Sequence, residues 1–275
     1  MSTEYTFSRF VYFDTNILSH LAKNKHLWRP LFDFLQQNDL TLGISGAQAV
    51  ELSDVKGLHR ELIALFLGVP SAILKPWDII LEEEVKAHPQ KRDDTLLFYP
   101  LNAMLLEVNG VGKLQDFLSS QKLSIARKDQ LNHAQQMAGR HAQLKNNFPP
   151  SKTGKYTRGQ ANEFAWMMVM QWLASNHHNF LAGFQDNVEN LHSEVFLSIQ
   201  IFVNVIFYKY YLGQREPKKH SDFGDLAHLA SIPYCKLAVM ERDLCNILNQ
   251  IKLHQDTLKS TIVRDIDFFK DWSWS

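Results

Sequence analysis

Cysteine is scarce here, with only Cys235 and Cys245 in 275 residues. Neither belongs to a CxxC pair, which excludes a zinc finger or ribbon, and two thiols are too few for a disulfide scaffold. They read as small buried hydrophobes or free thiols in a reducing compartment. An excess of charge of either sign is also missing: Lys plus Arg number 29 and Asp plus Glu number 29. A protein that coats nucleic acid along a broad surface is usually basic overall, so that class is excluded, whereas a nuclease offsets its basic patches with its own acidic site. Long hydrophobic runs are lacking too. Residues 1–9 are polar and precede only four apolar residues, unlike a signal peptide. The most apolar stretch, residues 195–212, is interrupted by Ser198, Gln200, Asn204 and Lys209 and falls short of the ~20 apolar residues of a membrane span. The expectation is a cytoplasmic protein with no membrane association. No internal repeat is visible.

What is there is a 45% hydrophobic fraction, enough for a sizeable core. Phe10-Val11-Tyr12-Phe13 has the β-branched and aromatic character of a buried parallel strand. Ile17, Leu18 and Leu21 then recur at helical spacing, and residues 27–37 form a second helical stretch. Residues 40–44 read as another strand, with Ser45 as N-cap of a helix holding Val50, Glu51 and Leu52. Strand and helix alternating through short connections imply a βαβ unit and a parallel sheet.

From about Pro76 to Tyr211 strand signals vanish. Helices are predicted over 95–108, 123–146, 160–176 and 185–212, with a basic, flexible loop at 145–160. Then the α/β pattern returns. A helix beginning at Ser221 carries Asp222, Asp225, His228 and Leu229; residues 236–240 are a strand, 241–252 a helix, and 261–264 a last strand. The expected organisation is an α/β domain from residues 1–75 and 215–275, with residues 76–214 as a large helical insertion.

The acids fall in a pattern. Asp14 follows a predicted strand, and ligands of open parallel sheets bind beyond the carboxyl ends of the strands. Glu51 sits on the helix after the second strand. Asp222 and Asp225 lie three apart on one helical face, and Glu241 and Asp243 follow the strand ending at Met240. Four segments thus deliver carboxylates to one rim. Crowded carboxylates persist at neutral pH when a cation joins them, and hard oxygen ligands select Mg²⁺ or Mn²⁺. Such an ion activates water and clamps the oxygens of a phosphodiester. Each acid taken alone is more simply a helix cap or a solvated side chain.

Val11-Tyr12-Phe13-Asp14-Thr15-Asn16 resembles the opening strand and first acid of PIN-domain ribonucleases. Ile44-Ser45 leading to Val50-Glu51-Leu52 is similar to their second acidic position, and the segment from Ser221 through Asp225 to Leu229 to the helix bearing the third. Val239-Met240-Glu241-Arg242 resembles a variant of the strand that ends in Thr-Asp, with Met240 in place of Thr and Glu241 in place of Asp. The resemblance spans roughly residues 10–66 and 221–265. It implies a three-layer α/β/α PIN-like fold with a central parallel sheet, and Asp14, Glu51, Asp225 and Glu241 as the catalytic, metal-binding set. Asp222 is an additional ligand candidate, and Asp243 competes with Glu241 for the fourth place.

Two basic clusters complete the picture. Lys152, Lys155 and Arg158, near Lys145, Phe148 and Tyr156, have the composition to grip phosphates and stack a base; a solvated surface loop is the alternative. Arg215, Lys218, Lys219 and His220 precede the third acidic helix and are expected to contact substrate. The Asp222-Phe223-Gly224 triplet resembles the kinase metal-binding motif, but no Gly-rich loop or catalytic-loop motif accompanies it. His228 reads as a partly buried structural histidine. The expectation is a metal-dependent endonuclease acting on nucleic acid, RNA before DNA, in the manner of a toxin or phage-defence effector, with a regulatory protein or a second copy as partner. The alternatives are a degenerate PIN-like subunit that binds nucleic acid or serves assembly, and a phosphatase of small phosphoesters, which needs no basic clusters.

Overall fold

The computed structural model describes residues 9–92, 95–216 and 225–274. Strand β1 (Phe10–Phe13) leads through α1 (Thr15–Lys23) and α2 (Trp28–Gln37) to β2 (Thr41–Ile44). Helices α3 (Gly46–Leu52) and α4 (His59–Gly68) connect it to β3 (Ser71–Leu74). Then come α5 (Trp77–Ala87), strand β4 (Leu97–Pro100), α6 (Leu101–Leu106), α7 (Gly110–Leu118) and the long α8 (Gln121–Asn147). After α9 (Ala161–Asn176), α10 (His178–Ala182) and α11 (Leu197–Ile206), the last of these continues as a π-helical segment, Phe207–Leu212. A 3-10 helix, Asp225–Tyr234, precedes β5 (Leu237–Val239), α12 (Arg242–His254) and β6 (Ile262–Arg264).

The six strands form one sheet in the order β4-β3-β2-β1-β5-β6. Five are parallel, and β4 runs antiparallel along the edge of β3. Because strand side chains alternate, β1 feeds two cores. Val11 and Phe13 pack with Leu42, Val239 and the apolar faces of α1, α2 and α4; Phe10 and Tyr12 pack with Ala72, Ala238 and the helices α5, α9, α11 and α12. Both faces are therefore covered, as an α/β sheet requires. The connections run outward from β1 to β2 and β3, then return to place β5 on the other side of β1. That reversal makes the β1/β5 junction the point where an open α/β sheet leaves a crevice for ligands.

Several expectations need correction. The sheet is mixed, not wholly parallel, because Leu97-Phe98-Tyr99-Pro100 pairs with β3 where a helix over 95–108 was expected; only Leu101–Leu106 is helical. This strand is exposed along its whole length, so no apolar alternation announced it. Strand β3, Ser71-Ala72-Ile73-Leu74, opens on two small residues and lacks the run of β-branched and aromatic side chains that marks β1. Residues 185–212 do not form one helix: 3-10 turns at Val188–Asn190 and Ser193–Val195 precede α11. Helix α8 continues to Asn147, inside the expected 145–160 loop. The stretch 76–214 supplies β4 to the sheet and most of the helices that bury one of its faces.

Candidate active site

At the carboxyl end of β1 the chain turns into α1 with Asp14 as N-cap, its Oδ1 accepting the Ile17 N–H at 2.8 Å. Its Oδ2 accepts the Glu241 N–H at 2.6 Å. The Asp14 N–H donates to the Val239 carbonyl at 3.0 Å, so one residue ties the ends of β1 and β5 together. Burial pushes the Asp14 carboxyl up to about 6; the neighbouring Glu241 charge adds to this, while the two backbone N–H donors and His228 oppose it.

Glu51 arrives from α3. The Ser45 hydroxyl accepts the Gln48 N–H at 3.2 Å and Gln48 Oε1 accepts the Ser45 N–H at 2.8 Å, a reciprocal cap. Gln48 is fully buried and its Nε2 donates to the Phe13 carbonyl, which fixes α3 against the end of β1. Glu51 Oε2 therefore meets the Thr15 hydroxyl at 2.6 Å. Its Oε1 lies 2.7 Å from His228 Nε2 and 3.7 Å from Arg127 Nη1 of α8, whose Nε also reaches Asp54 at 3.0 Å. Burial raises the Glu51 carboxyl, but His228, Thr15 and Arg127 together outweigh it and hold it below the usual range.

Glu241 begins α12 and accepts a hydrogen bond from Asn16 Nδ2. Asp243, two residues on in the first turn, pairs with Arg215 Nη1 at 2.6 Å, which holds its carboxyl low. Asp14, Glu51, Glu241, Asp243, His228 and Lys209 all line one cavity of about 120 Å³. Leu226, Met240, Leu244 and Ile247 form its apolar wall.

Thus Asp14, Glu51 and the Glu241/Asp243 pair converge from three separate places in the sequence. Asp225 opens the 3-10 helix that carries His228 into the cavity; its side chain, together with Asp222, Lys218 and Lys219, lies outside the described residues. Lys152, Lys155 and Arg158 are exposed and do not line the cavity. Phe148 and Tyr156 are not available to stack a base. They stack on each other at 6.3 Å and pack into the core, with the Tyr156 hydroxyl donating to the Phe148 carbonyl at 2.8 Å. Lys145 pairs with Glu216 at 3.0 Å.

Thr15, Asn16, Arg127 and Lys209 are site residues that sequence reading passed over. The first two directly follow Asp14, which is a usable signal. Arg127 and Lys209 come from the helical middle and carry none. His228, read as structural, is buried and grips Glu51. Both cysteines are buried and free.

The donor chemistry is that of hard oxygen, and each Asp14 and Glu51 oxygen that accepts one hydrogen bond keeps a second lone pair. Among the described residues, no group of three or more His, Cys, Asp or Glu side chains is placed to hold a metal ion as it stands. The residues fit a divalent cation in kind, with the ligand set left open on the Asp225 side.

No family model, curated protein or solved structure matches this chain. What the cavity does is therefore read from its own chemistry. No single helix among the described residues is long and apolar enough to cross a membrane.

Proposed function

We propose that this protein is a metal-dependent nuclease with a PIN-like fold, hydrolysing phosphodiester bonds of RNA in preference to DNA. The observation that carries the reading is the convergence of Asp14, Glu51 and Glu241 on one cavity at the β1/β5 switch point. Asp14, Glu51, Glu241 and Asp225 would hold Mg²⁺ or Mn²⁺. Bound there, the cation supplies a Lewis acid and a water of lowered pKa. The chain's own residues do the rest. Thr15 and His228 aim Glu51, Asn16 aims Glu241, and the backbone N–H groups of Ile17 and Glu241 fix Asp14. The wall of Leu226, Met240 and Leu244 keeps bulk water from one side of the cavity. Asp243 is engaged by Arg215, which favours Glu241 for the fourth place. RNA, and a regulatory protein or second copy acting on the helical middle, belong to the same proposal, as does a cytoplasmic setting.

A specific observation favours the second reading, a non-catalytic nucleic-acid-binding or assembly subunit: the Glu51 carboxylate is already paired with His228 and approached by Arg127. The test separates the two. Labelled RNA and DNA are incubated with wild type and Asp14→Asn, in Mn²⁺ or in chelator. Wild type is expected to cleave only with metal, and Asp14→Asn to lose at least about 100-fold of that rate. Equal cleavage by both proteins, or none that depends on metal, would sink the nuclease reading; binding without cleavage selects the second.

A further inference from the structure

Lys209 stands in the most apolar stretch of the chain, with Phe207, Tyr208, Tyr210 and Tyr211 all buried around it. A lysine in such a run is costly to keep unless its ammonium reaches water, a charged partner or a ligand. Here the backbone makes room for it. The segment Phe207–Leu212 is π-helical, a rare form that is frequent at functional sites. Its last turn closes through the Gly213 N–H to the Tyr208 carbonyl at 3.0 Å. Glycine is required at that position, since a Cβ there would stand 2.8 Å from the Lys209 carbonyl oxygen and 2.9 Å from that of Tyr208.

This register packs the aromatic rings into the core and leaves Lys209 on the wall of the acidic cavity, alongside Asp14, Glu51 and Glu241. Its Nζ lies 5.4 Å from the Tyr210 ring centroid, within the range of a cation–π contact. Its charge acts on Asp243, the residue that anchors Arg215 at 2.6 Å. The cavity thus carries Asp14, Glu51 and Glu241 at the strand ends and Lys209 on the π-helical side, where Asp243 pairs with Arg215. Among the described residues that line the cavity, Lys209 is the lysine, and an anionic group entering there meets its charge on the π-helical side.

We propose that Lys209 binds the backbone phosphate of a single-stranded nucleic acid in the acidic cavity, with Asp243 serving to hold Arg215 at the rim. The proposal rests on the nuclease reading for the identity of the ligand. The π-helical segment is then a device for presenting one cation from a buried wall.

The test uses full-length protein in the Asp14→Asn background with chelator, so that no cleavage intervenes. Binding of a short fluorescein-labelled single-stranded RNA is followed by fluorescence anisotropy across a salt series. Lys209→Met is expected to weaken binding several-fold and to lower the slope of log Kd against log salt by about one. Lys209→Arg is expected to restore both. Thermal melts of each variant run alongside. Unchanged affinity and slope in Lys209→Met would overturn the proposal. So would a loss that Lys209→Arg does not restore and that follows a lowered melting temperature, since that marks a packing role. Cleavage by the wild-type protein in Mn²⁺ is scored separately, so failure of the nuclease reading leaves a distinct signature.

Discussion

Glu84, on α5, shows what a single buried carboxyl does outside the cavity. It is fully buried; its Oε1 accepts the Ser198 N–H at 2.8 Å and the Tyr234 hydroxyl, and among the described residues its Oε2 has no hydrogen-bond partner. The other charged groups packed here are Arg92, with its guanidinium 4.9 Å from the Tyr234 ring, and Glu83, 2.5 Å from Arg92 Nε. Burial pushes the Glu84 carboxyl up to about 7, against Tyr234, Ser198 and Arg92. A raised carboxyl binds its proton more tightly in the folded state. Its contribution is therefore complete below the ordinary value of 4.5 and is lost as pH rises through about 7. That loss is roughly 3 kcal/mol. Glu84→Gln stays neutral, so urea melts are expected to show it matching wild type near pH 5 and exceeding it at pH 8. An offset that is the same at both pH values would sink this account. Glu84 bridges α11 and the 3-10 helix, neither of which its sequence neighbourhood suggested.

Two short elements aim the cavity, and each has a single residue on which its geometry turns. In α3 it is Ser45, read correctly as an N-cap from sequence because a small hydroxyl before a helical run has one obvious use. Ser45→Ala is expected to cost about 1 kcal/mol by chemical denaturation and, by loosening Glu51, to lower cleavage. A stability loss with unchanged cleavage would mean that the contact of Gln48 with Phe13 suffices to aim α3. In the π-helical segment the residue is Gly213. Gly213→Ala forces a Cβ onto two backbone oxygens and is expected to destabilise by about 1–3 kcal/mol and to disturb RNA binding with it. An unchanged melting temperature would overturn that. The π register left no trace in sequence, since apolar spacing in 195–212 is compatible with an ordinary buried helix.

At the scale of the whole molecule, one core joins the sheet to the middle of the chain. Tyr12, Leu74 and Ala238 pack in the same cluster as Phe164, Ile201 and Phe207. Joining residues 1–75 directly to 215–275 would bare that face of the sheet, and the product is expected to show no cooperative melt and no near-ultraviolet circular dichroism. A cooperative melt would overturn this. Within the intact chain, Phe164→Ala is expected to cost about 3–5 kcal/mol of global stability, measured by urea unfolding with probes in both cores.

The sequence by itself determined the α/β class, the strands β1, β2, β5 and β6 and the carboxylates at their ends, because buried parallel strands and caps are written in local patterns of residue type. Asp14, Glu51 and Glu241 were legible for that reason. Only the tertiary structure decided that β4 joins the sheet, that His228 and Arg127 meet Glu51, that Asp243 turns to Arg215, and that Lys209 enters from a distant helix. Those contacts depend on the crossing of elements far apart in the chain, and spacing along a sequence carries no record of which faces meet.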